Sequence, residues 1–109
     1  MSVTRLSDTV DALDMTQDLP FQLLHADPRC TIILYKPQPE DLQTPHEQDE
    51  FYFVASGSAD IVIEGERSAV RTGDAIFVPA MQAHRFEHSS DDFACWGLFL
   101  NQPADKDGG

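Results

Sequence analysis

Residues 51–87 read FYFVASGSADIVIEGERSAVRTGDAIFVPAMQAHRFE, and this stretch decides the fold. Short runs rich in Phe, Tyr, Ile and Val are cut by Ser56-Gly57-Ser58, Gly65, Gly73-Asp74 and Pro79. The runs are too brief and too β-branched for helices, and suit strands joined by tight turns. The same texture extends outward in both directions, from Pro20 to Leu100. It predicts strands over 21–25, 31–35, 51–56, 59–63, 69–71, 75–78, 84–87 and 93–100, separated also by Asp27-Pro28, a 37–45 loop and Ser89 to Asp92. Many short, closely spaced strands make an all-β sandwich or barrel. Ahead of it, residues 1–19 form an N-terminal segment in which Ser7 is a candidate N-cap and Val10 and Leu13 permit one short helix. Residues 20–101 are read as the β domain, and the polar stretch 102–109, ending in Gly-Gly, as a flexible tail.

At 109 residues the chain has room for one core, which 41% hydrophobic residues and seven Phe can fill. Seven Lys and Arg stand against 19 Asp and Glu, for a formal charge of -12. That charge repels phosphate backbones and anionic lipid surfaces, so neither nucleic acid nor membrane is an expected partner. Cys30 and Cys95 lie in separate apolar runs without metal-knuckle or redox spacing, and read as small core residues. No apolar stretch approaches the roughly 18 residues of a span, and no apolar leader follows Met1, so a cytoplasmic protein is expected. Three runs, 51–54, 75–78 and 96–100, are apolar on both faces. One face lines the interior, and a second subunit or the N-terminal segment must cover the other, which predicts a homodimer.

The candidate residues for chemistry are His46, Glu50 and His84; taken alone, His46 and Glu50 read equally as a surface-loop histidine and a strand-start charge. If 46–54 is extended, His46, Gln48, Glu50, Tyr52 and Val54 share one face, because strand side chains alternate. A carboxylate on so apolar a strand costs several kcal/mol to desolvate unless paired. With few cations in the sequence, a divalent metal is the expected partner. Imidazole with one carboxylate suits Zn, Fe, Mn, Ni or Cu rather than Ca.

Over residues 44–88 the chain resembles the cupin superfamily. The first cupin motif has two His one residue apart, then a Glu, then a Gly seven places later; His46, Glu50 and Gly57 match its last three positions. The second motif is matched by Gly73, Pro79 and His84 in GDAIFVPAMQAH, with 15 residues between Gly57 and Gly73. Thr44 stands in place of the first His, Met81 in place of a Gly and His88 in place of an Asn. The resemblance implies a jelly-roll barrel of the double-stranded β-helix type, with one divalent transition metal per chain on His46, Glu50 and His84. Gln43, Thr44, Gln48 or water would complete the shell. Making His46 the first His instead leaves too few residues before Glu50.

Other residues carry alternatives. His88, four after His84, is a second base or an exposed strand-end residue; His25 is structural. Tyr52 can point its hydroxyl at a ligand or line the core, and Trp96 can wall a substrate site or pack an interface. Arg71 and Arg85 can bind a substrate carboxylate or form surface ion pairs. Three functions follow: a metal-dependent enzyme (oxygenase, isomerase or lyase) acting on a small oxygen-rich molecule, a non-catalytic binding or sensing module, or a metal-free binding barrel. The short chain, without a lid or second domain, suits the second, and Glu50 on an apolar strand argues against the third.

Overall fold

The computed structural model describes residues 2–16, 20–38 and 44–101. One helix, α1 (Leu6–Thr16), precedes eight strands: β1 (Phe21–Ala26), β2 (Cys30–Tyr35), β3 (Asp49–Ser56), β4 (Ser58–Ile63), β5 (Glu66–Arg71), β6 (Ala75–Val78), β7 (His84–Glu87) and β8 (Ala94–Leu100). They form a five-stranded sheet, β1-β2-β8-β3-β6, and a three-stranded sheet, β5-β4-β7, with every pairing antiparallel. Two facing antiparallel sheets of this kind are a jelly roll, as expected from sequence. The 102–109 stretch and Gln43 lie outside the described residues.

Alternation along the strands builds the interior. On β3, Glu50, Tyr52 and Val54 are buried while Phe53 between them is exposed. Across the sandwich β7 turns His84 and Phe86 inward and Arg85 outward. The ring of Phe86 meets Tyr52 edge-on at 5.0 Å and Phe93 at 5.0 Å, joining the two sheets. Large aromatic rings fill the space between sheets with few side chains and gain from the tilted geometry.

Two local expectations change. The β5 strand begins at Glu66, three residues earlier than predicted, because Glu64 (φ 49°) and Gly65 (φ 86°) form a two-residue turn that pairs Ile63 directly with Glu66. Positive φ at both central positions is the type I′ geometry that matches strand twist. Helix α1 starts at Leu6, so Ser7 lies inside it; the first turn is closed by Thr9, whose N–H and hydroxyl both donate to the Arg5 carbonyl. Leu13 is its buried anchor.

Candidate metal centre

The site sits where strand ends converge. Glu50 lies near the start of β3, beside Val78 at the end of β6 and Phe99 near the end of β8. His84 opens β7 and pairs with Ile63, the last residue of β4 on the opposite sheet. His46 comes from the chain leading into β3, and its carbonyl accepts the Met81 N–H at 2.6 Å, tying the two motif segments together.

Three side chains meet there. His46 Nε2 is 3.8 Å and His84 Nε2 3.6 Å from the same oxygen, Oε1 of Glu50. Glu50 is 1% exposed, and neither of its carboxylate oxygens has a hydrogen-bond partner among the described residues. A buried carboxylate left in that state costs more than any other polar group in the core. A cation between the three resolves it. Two ligand atoms each about 2.1 Å from a tetrahedral metal are about 3.4 Å apart, within a few tenths of an ångström of the observed separations. The donor set therefore fits a divalent transition metal.

The surroundings prepare both imidazoles. His84 Nδ1 is 3.0 Å from the Gln82 carbonyl. A carbonyl only accepts, so Nδ1 holds the proton and Nε2 presents its lone pair toward Glu50. The ring of His46 stands edge-on to Phe99 at 5.0 Å. Burial pushes the His46 imidazolium below the ordinary histidine value; Glu50 opposes the shift and His84 adds to it. A histidine kept neutral is a histidine ready to ligate.

Sequence reading missed Gly97. A Cβ built there would lie 3.0 Å from Ile33 Cγ1 and 3.2 Å from Glu50 Oε2, so its absence makes room for the carboxylate. An isolated glycine in the run WGLFL is the signal that marks it, since glycine inside a strand indicates close approach. The Gln82 carbonyl leaves no such trace in the sequence, because a backbone acceptor belongs to every residue.

The other candidates lie elsewhere. The chain bends at Glu47-Gln48, so the extended 46–54 face begins only at Asp49, and the Gln48 amide donates to Asn101 Oδ1 at 3.3 Å. Thr44 is exposed. Tyr52 is buried with its ring 6.2 Å from that of His84; burial first, then the Glu50 charge, raises its hydroxyl well above the ordinary tyrosine range. It keeps its proton at neutral pH. Trp96 pairs with Phe53 on the outward face of the large sheet and so does not wall the site. His88 is exposed, its Nδ1 3.0 Å from Asp60 Oδ2, four residues along β7 and so roughly 13 Å from His84. Arg85 pairs with Glu87 on the outer face, and Arg71 stands at the Ser58 end of β4. His25 has a partner the sequence did not suggest: Asp27 Oδ2 at 2.7 Å, on the β1–β2 turn with Cys30 nearby.

Comparison with known proteins supplies the family. The family model for the cupin domain matches residues 31–100. An uncharacterized protein of Streptomyces coelicolor is 50% identical over 59 residues, a match that spans 54% of this chain and 56% of that protein. Among solved structures, a Ralstonia eutropha protein, whose name proposes a mannose-6-phosphate isomerase, superposes with a TM-score of 0.62 at 29% identity. That superposition covers 75% of this chain and 83% of the other. A cupin superfamily protein of Desulfitobacterium hafniense gives a TM-score of 0.64 at 20% identity, over 75% and 76%. Fold, motif positions and family match together place the chain in the cupin superfamily.

Proposed function

We propose that the chain is a metal-binding cupin whose His46, Glu50 and His84 hold one divalent transition metal, Zn, Fe, Mn, Ni or Cu, and present it to a small oxygen-rich metabolite. The observation that carries this reading is the Glu50 carboxylate, 1% exposed, without a hydrogen-bond partner among the described residues and facing two imidazole nitrogens. Three protein ligands leave open positions for substrate. When bound, such an ion supplies Lewis acidity and a lowered pKa for water. The chain's own residues do the rest: the Gln82 carbonyl fixes the His84 tautomer, Tyr52 retains its proton beneath the site, and Ile33 and Phe99 line it with apolar surface.

A second reading, a binding or sensing module without turnover, has its own support. Of the four histidines, the two that are not ligands, His25 and His88, are held by Asp27 and Asp60 away from the site. That leaves the site without a spare histidine among the described residues to move protons. Metal analysis of untagged protein should find close to one ion per chain, and His84→Ala should abolish it; protein that cannot be loaded would overturn both readings. Oxygen uptake across diketones, thiols and catechols then separates enzyme from binder.

We also propose that a second copy covers the outward face of the large sheet. Cys30 and Cys95 lie five positions apart in the β2–β8 register, roughly 17 Å and too far to form a disulfide with each other. That suits the reducing cytoplasm. Among the described residues no helix is long and apolar enough to cross a membrane.

A further inference from the structure

The geometry points to a ligand that carries no negative charge in its free form and reaches the metal through neutral donors along an apolar wall. The inference rests on the metal reading above and narrows its substrate class.

Each ligand has an acidic neighbour. Glu47 follows His46 and is exposed. Asp49 precedes Glu50, and its Oδ1 accepts the Ala80 N–H at 2.8 Å. Glu64 reaches across from the β4–β5 turn to accept the Ala83 N–H at 2.5 Å, one residue before His84. A divalent ion on Glu50 keeps one unit of positive charge, and the three flanking carboxylates reverse it. An approaching phosphate or carboxylate then meets a negative field at a low-dielectric opening, where such fields are concentrated.

No described cation offsets this. Arg67 and Arg85 both lie opposite Val62, on the side of the small sheet facing away from His84 and Phe86, and both bind Glu87. Arg71 pairs with Ser58 and Lys36 donates to the Asp91 carbonyl, each at the far end of its strand from the site. Arg29 is committed to Asp27 on the edge hairpin and is 87% exposed. Arg5 precedes α1, whose first turn borders Lys36 and Asp91 at that far end. A site that selects phosphates or carboxylates places a guanidinium or ammonium where the anion docks; here Arg5, Lys36, Arg67, Arg71 and Arg85 lie at the far end or on the outer face, and Arg29, at the site's end of the sheet, is turned to Asp27 on the edge hairpin. The wall beside Glu50 is instead built of Ile33, Gly97 and Phe99.

Cobalt-loaded full-length chain tests this, because visible cobalt absorption reports what enters the first coordination shell. Imidazole, acetate and inorganic phosphate are titrated at fixed ionic strength, with aqueous cobalt as reference. Relative to that reference, acetate and phosphate should be at least tenfold weaker than imidazole. Glu47→Lys, an exposed substitution, should recover about three- to tenfold of the anion affinity while leaving the imidazole midpoint within twofold. Anions binding as well as they do to aqueous cobalt, or no response to Glu47→Lys, would overturn the inference and leave the metal site standing. A chain that takes up no cobalt overturns the metal reading and this one together.

Discussion

At the scale of single residues, two of the three departures from the cupin motif share one backbone geometry. Met81 replaces a Gly and His88 an Asn, and both sit at positive φ, 69° and 54°. Gly and Asn are the residues that tolerate this region most easily, so the conformations persist although the side chains have changed. Met81 is held in place by its N–H bond to the His46 carbonyl. The left-handed conformation costs a methionine about 1–2 kcal/mol, and glycine returns about 0.5–1 kcal/mol of that in lost chain entropy. Met81→Gly should therefore stabilise the fold by about 0.5–1 kcal/mol in urea titration; no gain would mean the turn is not strained. Gly97 works in the opposite sense. Adding a methyl 3.2 Å from Glu50 Oε2 and 3.0 Å from Ile33 moves the carboxylate more than the barrel. For Gly97→Ala we expect metal affinity to fall about tenfold in chelator competition, with a loss of stability below about 1.5 kcal/mol, as for other displaced ligand-supporting contacts. Unchanged metal affinity would show that Gly97 serves packing alone.

At the scale of elements, the outward face of the large sheet is continuous and uncharged. Register places Phe77, Phe51, Leu98 and Ile32 in one row across β6, β3, β8 and β2, and Ala75, Phe53 and Trp96 in the next, which ends at β2 on the fully buried Leu34. Phe53 and Phe77 are 43% and 47% exposed. Phe51 lies parallel to Phe53 with ring centres 6.3 Å apart and tilted against Phe77 at 4.9 Å. In a chain of charge -12, most other approaches between copies bring like charges together, which leaves this face for self-association. Three strands, β6, β3 and β8, at about 4.8 Å spacing and roughly 20 Å length give a patch about a third of the per-partner area of a standard interface. For the proposed dimer we therefore expect weak association, visible by sedimentation at high concentration and lost on dilution. Phe77→Asp should leave it monomeric at every concentration; an unaltered weight-average mass would place the contact elsewhere. The strands themselves were legible because aromatic and β-branched runs mark them. The first half of β5 was not, since Glu66, Arg67 and Ser68 are polar and exposed, and pairing alone, set by the Glu64-Gly65 turn, makes them strand. The bend at Glu47-Gln48 was equally hidden, because nothing in PHEQDE distinguishes a bent lead-in from an extended one.

At the scale of the whole molecule, the His46, Glu50 and His84 cluster joins the two sheets, so occupancy of the proposed metal site and stability should be linked. His46 approaches from the β3 side and His84 from the small sheet, with Glu50 between them. Both imidazoles were identifiable from motif order; how the two segments reach one another was not, since it depends on the Met81 N–H to His46 carbonyl bond. A metal that binds only the folded chain adds about 2.7 kcal/mol at a free concentration one hundred times its dissociation constant. Removing it with a chelator should lower the melting temperature accordingly. The pH dependence has a definite sign. Burial lowers the folded-state pKa of His46, so between that value and the unfolded value near about 6.5 the unfolded chain binds more protons. Stability of the metal-free protein then rises with pH through this window and is lost as pH falls through it. Protons also compete with metal for the same nitrogens, so metal affinity falls on acidification as well. The difference in melting temperature between loaded and stripped protein should stay constant from about pH 8 to pH 7 and shrink steadily from about pH 6.5 to pH 5. A difference that persists unchanged to pH 5 would mean that histidine nitrogens do not hold the ion, and that the Glu50 carboxylate binds it with other oxygens instead.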